Sequence, residues 1–222
     1  MKSARLITVT AIAGALATLL AGAVPASASA RPLSPPAAHL AVTPARPAGQ
    51  AAPATARLRA AFPADTFTCF DQQSLDANAN GDYVSAELGY TGASYGMLRA
   101  RATTVGPWEK FDFCDDLTQG WWAISSDANG LYVTAQFGYA GASFGELTAS
   151  SSSIGPDQKW LLSCILGPPV GPQIAFVLIQ AQTNLNYVSA ELGYTGANYA
   201  MLRARAATAG QWEEYYNNDL CG

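Results

Sequence analysis

The sequence predicts an all-β fold of the β-trefoil class, three four-stranded repeats with pseudo-threefold symmetry, and three observations carry that expectation. The segment Tyr83 to Thr103, YVSAELGYTGASYGMLRARAT, returns as YVSAELGYTGANYAMLRARAA from Tyr187 to Ala207, changed only at 94/198, 96/200 and 103/207. A more diverged copy, YVTAQFGYAGASFGELTASSS, lies between them from Tyr132 to Ser152, so the anchor tyrosines stand 49 and then 55 residues apart. A period near 50 repeated three times is the mark of a repeat architecture. Finally, each copy alternates with period two, and no window outside the N-terminal leader shows a helical period.

The chain begins with a signal peptide, residues 1–30. Lys2 and Arg5 form its positive end, Leu6 to Val24 its apolar stretch, and Ala28-Ser29-Ala30 a small-residue cleavage site. Residues 31–64 are rich in Ala and Pro, with Arg31, Arg46, Arg57 and Arg59 and no acid, which reads as a flexible linker or a propeptide. No later segment is long and apolar enough to insert in a membrane once the leader is cleaved.

The folded domain spans 65–222, with repeats at about 65–114, 115–164 and 165–222. Each repeat opens with one strand, Phe70 to Leu75, Trp121 to Ser126 or Ile174 to Gln180. A turn follows at Asn80-Gly81, Asn129-Gly130, or Asn184 with Asn186, where the third copy has lost the glycine. Tyr83, Ser85 and Glu87 then alternate with Val84, Ala86 and Leu88 as a half-buried strand. A glycine-rich loop connects it to a partner strand such as Met97 to Ala102. The last strand of each unit is placed at Trp108 to Phe113, Lys159 to Leu162 and Trp212 to Tyr216, with Trp108 and Trp212 as matching core residues. Twelve strands in three equal units close into a barrel, and closure removes aggregation-prone edges. A seven-strand sandwich has no reason to repeat three times.

The motif G-x-Y-V-S-A-E, then L-x-A-x-A, then G-x-W-E-x-F, seen at Gly81 to Glu87, Leu98 to Ala102 and Gly106 to Phe111, resembles the fascin-like β-trefoil repeat of the actin-crosslinking superfamily, and most of all its secreted actinobacterial members. The resemblance covers Asp65 to Gly222. Fascin-like chains that bundle actin hold several trefoils, and this one holds a single trefoil behind a secretion signal, so actin bundling is not expected.

Four cysteines in a secreted chain imply two disulfides with three possible connectivities. Cys114, Cys164 and Cys221 each follow the last strand of a unit, and Cys69 begins the first strand of the first. In a closed threefold barrel the last strand meets the first. Pairing of Cys69 with Cys221 and of Cys114 with Cys164 is therefore expected.

Catalysis is not expected. The only histidine, His39, lies in the linker, which removes Ser-His-Asp, Cys-His and His-metal chemistry from the domain. Glu87 and Glu191 sit at equivalent strand positions, and with the doublets Asp115-Asp116 and Glu213-Glu214 they read as solvated surface acids. No cofactor or metal is implied. From residue 65 onward, six Lys and Arg stand against sixteen Asp and Glu, a formal charge of −10, which disfavours nucleic acid and anionic membranes as partners. Gln158-Lys159-Trp160 invites comparison with lectin trefoils, but core packing of Trp160 beside Phe111 and Tyr215 explains it better.

The binding candidates are the loop aromatics, two per unit: Tyr90 and Tyr95, Tyr139 and Phe144, Tyr194 and Tyr199. Amphipathic rings on a rigid loop suit the C–H face of a sugar, and the alternative is that they plug the fold. The sequence thus reads as a secreted, non-enzymatic module for a cell-envelope or environmental polysaccharide. The rivals are a proteinase inhibitor acting through Gly167 to Pro172, and a structural or adhesive protein with no small-ligand site.

Overall fold

The computed structural model describes Arg57, residues 66–166, 175–217 and 219–221. The residues expected as signal peptide, those expected as linker apart from Arg57, with His39 among them, and Gly167 to Pro172 lie outside the described residues. Among the described residues, thirteen strands join into one sheet that closes on itself in an all-β, trefoil-like fold. The first unit holds β1 (Phe67–Gln73), β2 (Asp76–Ala77), β3 (Asp82–Glu87), β4 (Met97–Ala102) and β5 (Phe111–Asp116). Then come β6 (Trp121–Ser126), β7 (Tyr132–Gln136), β8 (Glu146–Ser151) and β9 (Lys159–Leu166). The last unit holds β10 (Ala175–Ala181), β11 (Tyr187–Glu191), β12 (Met201–Ala206) and β13 (Glu214–Tyr216).

The asparagine turns work alike in every unit. The side-chain amides of Asn80, Asn129 and Asn184 donate to the carbonyl oxygens of Ala100, Ala149 and Ala204 at 2.8, 2.9 and 3.1 Å. Their Oδ1 atoms accept the backbone N–H two residues on, from Asp82, Leu131 and Asn186. Asparagine is the residue that can imitate a backbone turn in this way. The next residue has a positive φ: 71° at Gly81, 66° at Gly130 and 57° at Leu185, so the third unit keeps the left-handed turn without its glycine.

The last element of each unit begins differently from the expected strand. Pro107–Glu109, Pro156–Gln158 and Gln211–Glu213 are single 3-10 turns. The side chains of Glu109, Gln158 and Glu213 reach back to accept the N–H of Gly106, Gly155 and Gly210 at 2.7, 2.7 and 2.8 Å. This cap rotates Trp108 and Trp212 off the strand. Phe111, Trp160 and Tyr215, each five residues past the cap glycine, are the ones that fill the barrel, where they pack with Leu98, Leu147 and Leu202. Trp108 is half-buried at the core edge, and Trp212 is 41% exposed, against the expectation that both lie in the core. Gln158 also donates to Thr134 Oγ1 at 2.9 Å, so the Gln-x-Trp tripeptide is a cap followed by a core ring.

The disulfides pair Cys69 with Cys114 and Cys164 with Cys221, not Cys69 with Cys221 and Cys114 with Cys164 as expected. The ends of the barrel do meet, but through β2, where Ala77 lies opposite Tyr215 and Asp76 opposite Tyr216. The leading strand breaks before that point. Gln72 takes a φ of 56°, the register shifts between Phe70 and Gln73, and β1 turns to pair with β5, which sets Cys69 directly opposite Cys114. Cys69 and Cys114 belong to a second apolar cluster with Trp121, Tyr132 and Phe67 outside the main core. Two disulfides are what a chain folding in an oxidising compartment carries. No helix among the described residues is long and apolar enough to cross a membrane.

Candidate functional site

The three glycine-rich loops, 89–96, 138–145 and 193–200, share one construction. Each contains a 3-10 turn, Gly92–Ser94, Gly141–Ser143 or Gly196–Asn198, capped at its C-terminal end by the next residue, the second aromatic of the pair: Tyr95, Phe144 or Tyr199. The backbone N–H of that aromatic donates to the carbonyl of the turn's first glycine in all three. The position after it has a positive φ, 71° at Gly96, 72° at Gly145 and 58° at Ala200.

That position also locks each loop to the next unit. The carbonyls of Gly96, Gly145 and Ala200 accept the N–H of Ala149, Ala204 and Ala100 at 2.7, 2.8 and 2.9 Å. A Cβ on Gly96 would stand 2.6 Å from the Ala149 carbonyl oxygen, too close for any side chain without a backbone shift. The loops are therefore anchored at their C-terminal ends.

Where β4, β8 and β12 converge, Met97 faces Thr148, Glu146 faces Arg203 and Met201 faces Arg99, and all six are buried. The arginines tie this centre to the loops. Arg99 donates Nη1 to Tyr90 Oη at 2.8 Å, Nε to the Tyr199 carbonyl at 2.8 Å and Nη2 to the Gly196 carbonyl at 3.1 Å. Arg203 donates Nη2 to Tyr194 Oη at 2.8 Å and Nη1 to the Ala142 carbonyl, and its guanidinium lies 4.7 Å from the Tyr194 ring centre. In the middle unit Thr148 stands where the arginines stand, and Tyr139 Oη reaches toward the Ala93 carbonyl at 3.5 Å.

Glu87 and Glu191, expected as solvated acids, are buried. Arg101 clasps Glu87 through two hydrogen bonds of 2.6 and 2.5 Å, and Arg205 clasps Glu191 at 2.6 and 2.9 Å. Burial pushes the Glu191 carboxyl up, but the hydrogen bonds from Arg205 and Arg203 outweigh it and hold the group below its usual range. Glu146, with Arg203 opposite and a hydrogen bond from Ser143, is still raised, because burial outweighs both. The alternation that promised one wet face missed this, since the polar face of β3 and β11 is roofed by arginine stems and loops.

The six loop aromatics thus divide. Tyr90, Tyr139 and Tyr194 are half-buried, and two of their three hydroxyls accept from a buried arginine, which ties them to the fold. Tyr95, Phe144 and Tyr199 are 36, 39 and 37% exposed, near-equal values at equivalent positions. Phe144 leans on Phe137 with ring centres 5.7 Å apart, which fixes its orientation. Among the described residues no group of three or more His, Cys, Asp or Glu side chains could hold a metal ion.

No protein-family model matches the chain, and no curated protein does. Among solved structures, a designed 3-fold symmetric protein, ThreeFoil, superposes at a TM-score of 0.49 with 17% identity, covering 64% of this chain and 94% of that one. A mosquitocidal holotoxin superposes at a TM-score of 0.51 with 11% identity, covering 65% of this chain. The overlap is 16% of the holotoxin's length, and at that identity the likeness is one of fold alone.

Proposed function

We propose that this chain is a secreted, non-catalytic, fascin-like β-trefoil of three four-stranded repeats that binds carbohydrate, a polysaccharide of the cell envelope or surroundings. The observation that carries the reading is the set Tyr95, Phe144 and Tyr199: one exposed ring per unit, each at the same place on a loop anchored at its base. Rigid rings lose little entropy on binding and offer a flat face to sugar C–H groups. Three similar weak sites on one body gain avidity on a repeating polymer. The acidic character of the domain fits this choice, since a formal charge of −10 repels nucleic acid and anionic lipid.

The test is a glycan array with the mature protein, followed by retention on the insoluble polysaccharide it selects. Alanine at Tyr95, Phe144 and Tyr199, one at a time, is expected to weaken retention in graded steps while the melt moves by no more than about 0.5 kcal/mol. Retention unchanged in all three variants defeats the reading and leaves inhibition of a proteinase or a purely adhesive role.

A further inference from the structure

We infer that the groove beside Trp212 is an additional subsite for a neutral pyranose, present once per chain, an inference that rests on the carbohydrate reading above. The groove is open, has a volume of about 490 Å³ and is lined by residues 206–213. Its lining joins the small residues Ala206, Ala207, Thr208, Ala209 and Gly210 to Trp212. Trp212 is the one tryptophan of the five that stands exposed.

The ring is positioned, not loose. It occupies the middle of the 3-10 turn Gln211–Glu213, and its far edge lies 3.9 Å from where a Cβ would stand on Gly193, the first residue of the loop that carries Tyr194 and Tyr199. A glycine there leaves room for the indole at the foot of the loop. An exposed indole held beside small residues can accept a sugar ring by stacking.

Charge selects the class. The groove's only acid, Glu213, is buried with Oε2 engaged by the Gly210 N–H at 2.8 Å, so no free charge lines the site, while Thr208 and Gln211 supply a hydroxyl and an amide. With a domain charge of −10 around it, the site disfavours uronic or phosphorylated sugars and admits neutral ones. The other units do not repeat it. Trp108, behind Pro107, is half-buried against the core, and the middle unit has Asp157 at that place.

The experiment titrates the mature protein with short soluble cello-, xylo-, manno- and chito-oligosaccharides and with oligogalacturonate, read by tryptophan fluorescence, acrylamide quenching and calorimetry. At least one neutral series is expected to shift the emission and protect one tryptophan from acrylamide at a stoichiometry of one. Trp212→Ala is expected to weaken that binding by about tenfold or more, and Trp212→Phe to restore most of it. Melting and disulfide mapping of Trp212→Ala establish that it folds. Unchanged binding by Trp212→Ala, equal binding of oligogalacturonate, or no response to any neutral series overturns the inference. The first two leave the carbohydrate reading standing, and that reading falls separately if polysaccharide retention ignores the three loop rings.

Discussion

Arg203 and Glu146 stand opposite each other in the β12–β8 pairing, both buried, and each keeps one polar atom without a partner: Nε on the arginine and Oε1 on the glutamate. Met97 and Met201 occupy the equivalents of Glu146 in the outer units, so the middle unit placed a carboxylate where its neighbours carry thioethers. Arg203 does not depend on it alone, because Glu191 Oε1 lies 3.3 Å from its Nη2.

Glu146→Met is therefore expected to stabilise the domain at neutral pH by about 1–2 kcal/mol, the sign found when buried charges give way to well-packed hydrocarbon. The pH dependence identifies the cause. Burial raises the Glu146 carboxyl above its unfolded value, so the folded state holds that proton more tightly, and its stabilising share is full at low pH and lost as pH rises through the folded value. The advantage of the variant should shrink as pH falls from the raised folded value toward the unfolded glutamate value of about 4.3, and level off below it. Urea melts of both proteins across pH 3.5–7.5 measure the difference, and an advantage that grows toward acid contradicts this account.

Leu185→Gly is expected to raise stability by about 0.5 kcal/mol. A side chain at a φ of 57° costs about 1–2 kcal/mol, and the extra freedom of glycine in the unfolded chain returns part of that gain. Leu185 is exposed, so no packing is lost. Chemical denaturation should show a higher midpoint at unchanged slope.

Tyr90→Phe and Tyr194→Phe remove the acceptors of Arg99 Nη1 and Arg203 Nη2. Each should cost about 1–3 kcal/mol, the penalty of stranding a buried donor, while polysaccharide retention at a temperature well below the melt stays at the wild-type level. Retention lost without loss of stability would return these tyrosines to the binding surface.

Peptide mapping without reduction should recover Cys69 linked to Cys114 and Cys164 linked to Cys221. Replacing Cys164 and Cys221 by serine opens a loop of 57 residues and should cost about 4 kcal/mol on the chain-entropy estimate.

The repeat, the asparagine turns and the core trio Phe111, Trp160 and Tyr215 were legible because periodicity equates positions between units, and equated positions share their surroundings. The cysteine pairing was not, since it depends on where one strand breaks: the barrel closes through Asp76 and Ala77, while Cys69, before the kink at Gln72, is carried to β5. Trp212 was misplaced for a related reason. The glycine caps at 106, 155 and 210 turn the chain before the strand begins, and Gly-Pro at the first two was the available sign of it. The burial of Glu87 and Glu191 was hidden because alternation reports a polar face without telling whether water or a guanidinium meets it.

The carbonyls of Gly96, Gly145 and Ala200 hand one hydrogen bond each from the first unit to the second, the second to the third and the third back to the first. Such a circuit has no vacancy. A solenoid can lengthen by adding copies at its end, but a fourth copy here would find every donor already engaged. Further duplication of this repeat would have to begin another circuit, and a fragment of one or two copies leaves an open acceptor and an open donor at its boundaries unless further copies complete the ring.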